Sequence, residues 1–245
     1  MKLDSNTLLI TGGASGIGLA LAERFLQAGS TVAICGRRED KLQEAQTKHP
    51  QLITRVCDVA DAEERAALFD WATRELPALN VLVNNAGIQQ RFALQAAPNW
   101  QHIHNEIAIN FDAPVHLSTL FIPHLIQQPR AAILNVSSGL AFSPLAFAPV
   151  YCATKAALHS FTLSLRHQLA GTRVEVIEII PPAVQTDLGG AGLHTQGAPL
   201  DAFADSIMAQ LQEGALEATF GFSAESSRAS REQLDALFQR MNQRR

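Results

Sequence analysis

Cysteine is scarce in this 245-residue chain: Cys35, Cys57 and Cys152 are an odd number in no paired spacing. That excludes a disulfide framework and a thiolate zinc motif, and it points to reduced thiols in a cytoplasmic protein. A cationic excess is missing too, with 19 basic against 23 acidic residues and a net charge of −4. Without it, neither nucleic acid nor an anionic membrane surface is an expected partner. No apolar run approaches the roughly 20 residues needed to cross a bilayer, and the first one, Thr7–Ile10, gives way at once to glycine, unlike a signal peptide. Internal repeats, low-complexity tracts and Pro/Ser-rich linkers are absent, so residues 1–245 are expected to form a single domain.

What the chain does contain is alternation. Short β-rich runs are expected as strands at Thr7–Thr11, Thr31–Cys35, Leu52–Cys57, Val81–Val83, Ala132–Val136 and Arg173–Ile180. Helical patterns fill the gaps at Gly16–Ala28, Arg38–Lys48, Ala62–Arg74, Trp100–Leu125, Tyr151–Ala170 and Leu200–Gln212. Strands nearly all apolar, such as AAILNV, need cover on both faces. The expected fold is α/β: a doubly wound parallel sheet of the Rossmann type in three α/β/α layers. Gly189–Pro199, within a stretch of about 186–200, has several glycines and no periodicity. It reads as a mobile substrate loop.

Chemistry begins after the first strand, where Thr11-Gly12-Gly13-Ala14-Ser15-Gly16-Ile17-Gly18 runs into a helix. Glycines there permit a tight turn and a close approach to a pyrophosphate, and the helix N-terminus offers free N–H groups. The second strand ends Cys35-Gly36-Arg37-Arg38. An acidic side chain at that place would hold the adenosine ribose of NAD and repel a 2′-phosphate. Gly36 removes it, and the Arg37 guanidinium suits a phosphate, so NADP(H) is expected rather than NAD(H). Arg38 either adds a second positive charge or pairs with Glu39, Asp40 or Glu44 on a solvated helix face.

Tyr151, the only tyrosine, lies one helical turn before Lys155. A phenol with an ordinary pKa of about 10 is a poor proton donor or acceptor near neutrality. A neighbouring ammonium would favour the phenolate and pull that value down. Ser138 follows the strand ending at Val136, where its hydroxyl can meet a carbonyl or alcohol oxygen. Pro114 denies the carbonyl of Asn110 its i+4 partner, so the long helix Trp100–Leu125 is expected to be interrupted there.

Together these motifs resemble the short-chain dehydrogenase/reductase family over nearly the whole chain. Gly12, Gly16 and Gly18 match its glycine motif, Asp58 in Cys57-Asp58-Val59 its adenine-contacting aspartate, and Asn84-Asn85-Ala86-Gly87 its NNAG element. Ser138 and Tyr151 stand thirteen positions apart, as is usual there. The segments NVSSGLAFSPLAFAPVYCATK and EIIPPAV are most similar to its DltE-like branch. The resemblance implies a catalytic set of Asn110, Ser138, Tyr151 and Lys155. It also implies a nucleotide site made by Gly12, Ser15, Gly16, Ile17, Gly18, Arg37, Arg38, Asp58, Val59, Asn85, Ala86, Gly87, Tyr151, Lys155, Pro181, Val184 and Thr186. Tyr151 would be general acid in reduction and base in oxidation, Lys155 would hold the nicotinamide ribose, Ser138 would polarise the substrate oxygen, and Asn110 would anchor a relay water. Pro182 stands where the family commonly has glycine, which alters the nicotinamide end of the site. A homodimer or homotetramer joined through the Trp100 and Tyr151 helices is implied as well.

Substrate recognition has the thinnest signal. Gln89, Arg91, Leu140, Phe142 and Phe147 flank the catalytic groups and are largely apolar, which suits a small carbonyl compound with apolar substituents. Arg91 turned inward would admit a carboxylate or phosphate; turned outward it would not. His102 and His104 point to different helix faces and have no metal-ligand spacing, so no metal is expected, while His159 and His167, two turns apart on the Tyr151 helix, could meet a partner subunit. The functional expectation is hydride transfer between NADP(H) and a carbonyl/secondary-alcohol pair. The rivals are a non-catalytic nucleotide-binding redox sensor or scaffold, and an epimerase using the cofactor transiently.

Overall fold

The computed structural model describes residues 1–243. Seven parallel strands, β1 (Thr7–Thr11), β2 (Thr31–Gly36), β3 (Ile53–Val56), β4 (Val81–Asn84), β5 (Ala131–Val136), β6 (Val174–Ile180) and β7 (Glu217–Thr219), lie in the order β3-β2-β1-β4-β5-β6-β7. The direction of winding reverses between β1 and β4. Such a reversal opens a crevice at the carboxyl ends of the strands, where ligands of doubly wound sheets bind.

Helices cover both faces, and strand alternation divides the core between them. From β1, Leu8 and Ile10 face α1 (Gly16–Gln27), α2 (Glu39–Lys48) and α7 (Leu200–Gln212), packing with Leu21, Phe25, Leu42 and Phe203. Leu9 faces α3 (Ala62–Glu75), α5 (Ala113–Ile126) and α6 (Pro149–Leu169), with Leu68, Leu117, Phe121 and Leu165. Each such side chain contributes roughly 1.5–3 kcal/mol by leaving water. Across the sheet runs a buried polar rung: Asn84 Nδ2 donates to Asn135 Oδ1 (2.8 Å), and Asn135 Nδ2 donates to Thr162 Oγ1 (2.9 Å) on α6.

The helix expected over Trp100–Leu125 is α4 (Trp100–Ile107), a π turn over Ala108–Asp112, and then α5. Pro114, in the first turn of α5, supplies no N–H to the preceding turn, and the ladder shifts register there. At the far end, β7 is followed by α8 (Phe222–Ser226) and by α9 (Arg231–Met241), whose start is fixed by a capping box between Ser230 and Gln233. The glycine-rich loop is a series of turns returned to the sheet by a parallel bridge between Val184 and Ala198. Among the described residues, no helix is long and apolar enough to cross a membrane.

Candidate active site

The turns after β1 and β4 are built into one unit. Thr11 Oγ1 accepts the N–H groups of Asn85 and Ala86 (both 3.0 Å), while Asn85 Nδ2 donates to the carbonyls of Thr11 (2.8 Å) and Gly12 (3.2 Å). The approach is so close that a Cβ on Gly12, at φ +64°, would lie 2.9 Å from Ala86 Cα. Gly16, at φ +54°, has Thr186 against the space a Cβ would fill. Ser15 caps α1 without a side-chain hydrogen bond, leaving the amides of that first turn directed into the glycine-lined crevice. These residues fit a dinucleotide pyrophosphate, with Thr186 beside the glycine turn.

At the adenosine end, Arg37 Nη1 lies 3.7 Å from Asp58 Oδ2, and Arg38 Nη2 reaches Ser15 Oγ at 3.5 Å. Glu44, one of the three acids weighed as partners of Arg38, pairs with Lys41. Among the described residues, nothing lies within 4 Å of a Cβ placed on Gly36, so this strand end is open.

Beyond β5 and β4, the four expected catalytic side chains converge. Tyr151 and Lys155, on α6, are 5% and 4% exposed, Ser138 6% and Asn110 1%. Lys155 Nζ donates to the Val136 carbonyl (2.8 Å) and lies 5.7 Å from the centre of the Tyr151 ring. A Cβ on Gly87 would be 3.6 Å from that Nζ and 3.4 Å from Asn110 Oδ1, so the NNAG turn lies beside both. The Asn110 amide is held on two sides: Oδ1 accepts from Ile88 N and Nδ2 donates to Ile88 O (both 2.9 Å) and to Thr154 Oγ1 (3.2 Å). Ser138 Oγ accepts the Leu140 N–H at 3.1 Å, which leaves its own proton to give.

Electrostatics refine the sequence expectation. Burial pushes the Tyr151 phenol well above the ordinary tyrosine value, opposed in part by the Ser138 hydroxyl. The resting phenol therefore carries its proton. Burial lowers Lys155 to about 8, with Glu178 and Glu106 acting in the opposite sense. Those two carboxyls were invisible as site residues in the sequence, where Glu106 looks like a polar helix position and Glu178 interrupts a strand. Both are fully buried. His159 meets Glu178 of its own chain, Nδ1 to Oε2 2.8 Å.

The five substrate-side residues are less uniform. Leu140 packs on Tyr151 and Cys152, whereas Phe142 stands edge-on to His159 with ring centres 4.7 Å apart. The exposed Arg91 guanidinium lies 4.6 Å from the Phe147 ring centre. Phe92 N donates to Phe147 O (3.1 Å), tying the two loops together. Gln89 faces Gly189 of the glycine-rich loop, 3.1 Å from a Cβ placed there. Pro182 follows Pro181, whose carbonyl accepts the Gly139 N–H at 2.9 Å, so this turn braces the one that carries Ser138.

A family profile described as short chain dehydrogenase matches residues 6–196. Over 99% of this chain and 98% of the relative, the sequence is 51% identical to the uncharacterized oxidoreductase DltE of Bacillus subtilis. Among solved structures, a short chain dehydrogenase of Burkholderia cenocepacia in complex with NADP superposes with a TM-score of 0.85 at 25% identity, covering 97% of this chain and 99% of its own. One from Streptomyces avermitilis, at 24% identity, shares the fold with a TM-score of 0.83 over 96% and 93% of the two chains. On the fold, the profile and the full-length relative, the chain belongs to the short-chain dehydrogenase/reductase family of oxidoreductases, in its DltE-like branch.

Proposed function

We propose that this protein is an NADP(H)-dependent reductase of small carbonyl compounds, run in reverse as a secondary-alcohol dehydrogenase. The observation that carries the reading is the convergence of a protonated, buried phenol, a buried amine and a free hydroxyl proton at the mouth of the glycine-lined crevice. Hydride chemistry would come from the nicotinamide when bound. Tyr151 donates its proton to the substrate oxygen as carbon is reduced, and Ser138 steadies the charge growing on that oxygen. Lys155 sits where it can bind the cofactor's ribose and stabilise the phenolate left behind. Asn110, fixed by Ile88 and Thr154, holds the helix beside Lys155.

Arg37 and Arg38 with an open Gly36 favour a 2′-phosphate over a free ribose diol. The NADP complex of the Burkholderia cenocepacia relative agrees with that choice. Exposed Trp100 (67%) on α4 and Leu163 (42%) on α6 support assembly of a homodimer or homotetramer through these helices. A cytoplasmic location suits the three free thiols. The test is consumption of NADPH against a panel of aldehydes and ketones bearing apolar substituents. Turnover of at least one class, with NADH a poorer donor, is the expected result; binding of NADPH with no carbonyl reduced would overturn the reading.

A further inference from the structure

Asn242, which closes α9, has no part in the mechanism above, yet its side chain reaches back to the loop between Ser138 and Tyr151. Nδ2 donates to the Pro144 carbonyl at 3.0 Å, and Oδ1 accepts the Ala146 N–H at 2.6 Å. Beside it the hydroxyl of Ser143, a residue with no solvent exposure, donates to Met241 Sδ at 3.5 Å. Among the described residues, every hydrogen bond from residues 231–243 to the chain before Ser230 goes to these three positions.

Ending the helix does not require those contacts. The Asn242 N–H and Nδ2 both meet the Phe238 carbonyl, at 3.1 and 2.9 Å, which already satisfies that end of α9. Nor does a deep core hold the helix in place. Leu234, Leu237, Phe238 and Met241 follow helical spacing but are only half-buried, and no residue of α9 is buried. The directed bonds from Asn242 therefore set how α9 and the 144–146 turn sit against each other.

That turn carries Leu145 between its two pinned residues. With Leu140 and Leu188, Leu145 packs on the cluster of Ala148, Tyr151 and Cys152, and its N–H donates to Cys152 Sγ at 3.3 Å. A substrate whose oxygen meets the Tyr151 hydroxyl must bring its substituents near these leucines. Resting on the reductase reading, we propose that Asn242 is a positioning residue for specificity, which pins the turn at Pro144 and Ala146 and so holds Leu145 as the wall that receives the substrate's apolar substituent. It acts through Leu145 and touches no reacting atom, so it governs substrate binding and leaves proton and hydride transfer unchanged.

Asn242→Ala removes both bonds to the turn at a half-buried position where the shorter side chain is accommodated. In NADPH-dependent turnover of an apolar ketone it should raise KM about tenfold, with kcat within about twofold of wild type and NADPH affinity unchanged. Hydrogen exchange of the protein alone should be about tenfold faster at the Ala146 amide in this variant. Asn242→Asp keeps the acceptor for Ala146; it should restore slow exchange and return KM to within about threefold of wild type. An unchanged KM, a fall in kcat alone, or Ala146 exchange that does not respond would overturn the role of Asn242 and leave the reductase reading standing. A wild type that protects Ala146 yet reduces no carbonyl would overturn the reductase reading, and this role with it.

Discussion

His159 Nδ1 lies 2.8 Å from Oε2 of Glu178, a carboxylate with no solvent exposure whose other oxygen accepts the Ser137 hydroxyl proton at 2.5 Å. Helix α6 and strand β6 are thereby joined beside Ser138, by a pair the chain uses internally. The carboxylate raises His159 above its ordinary value of 6.5. A raised histidine contributes stability that is fully present below 6.5 and fades as pH rises through the folded value.

His159→Ala should therefore lower stability by about 1–3 kcal/mol at pH 5.5, since it leaves a buried carboxylate with one partner fewer. By pH 8.5 the difference from wild type should be smaller, because the contribution of a raised histidine fades as pH rises through its folded value. Urea unfolding at the two pH values measures it. A difference that grew with pH would contradict the pairing.

Lys155 illustrates the opposite sign. Its folded value, lowered from 10.5 to about 8, means that the folded protein resists the ammonium. The penalty is present in full below about pH 8 and disappears as pH climbs to 10.5, where the unfolded chain also loses its proton. Lys155→Met should thus be more stable than wild type at pH 7, by about 1–2 kcal/mol after loss of the Val136 hydrogen bond, and inactive. Thermal unfolding at pH 7 and pH 10 should show the gain shrinking at the higher pH.

Cofactor choice should follow the end of β2. Gly36 has open space where a side chain would stand, so Gly36→Asp is expected to fold normally and to place a carboxylate against the 2′-phosphate. Combined with Arg37→Ala, it should reverse the preference from NADPH to NADH. Arg37→Ala alone should weaken NADPH binding by about 10- to 100-fold, through loss of charge-assisted bonds worth roughly 1.5–3 kcal/mol, and leave NADH nearly unchanged. Equal losses for both dinucleotides, read by fluorescence titration, would remove Arg37 from phosphate recognition.

Much of this architecture was legible in the sequence because parallel strands covered on both faces leave unbroken apolar runs: β1 matches its expected bounds, as does α7. β7 escaped notice because Glu217–Thr219 is short and pairs at a sheet edge through its backbone, not through an apolar pattern. Pro114 signalled an interruption, but that it takes the form of a π turn depends on packing around Asn110. In the site, motif spacing located Ser138, Tyr151, Lys155 and Asn110. Glu106 and Glu178 were missed because acidic residues are rarely fully buried, and only the tertiary structure places them beside Lys155 and His159. The same applies to the state of Tyr151: its neighbour's charge is visible in the spacing, its burial is not.

Tyr151→Phe tests the central claim most directly, because it removes the proton and keeps the ring. With NADPH binding verified by fluorescence, the account predicts unchanged affinity and a fall in carbonyl reduction of about 10²- to 10⁴-fold. Turnover at the wild-type rate with the cofactor still bound would contradict it.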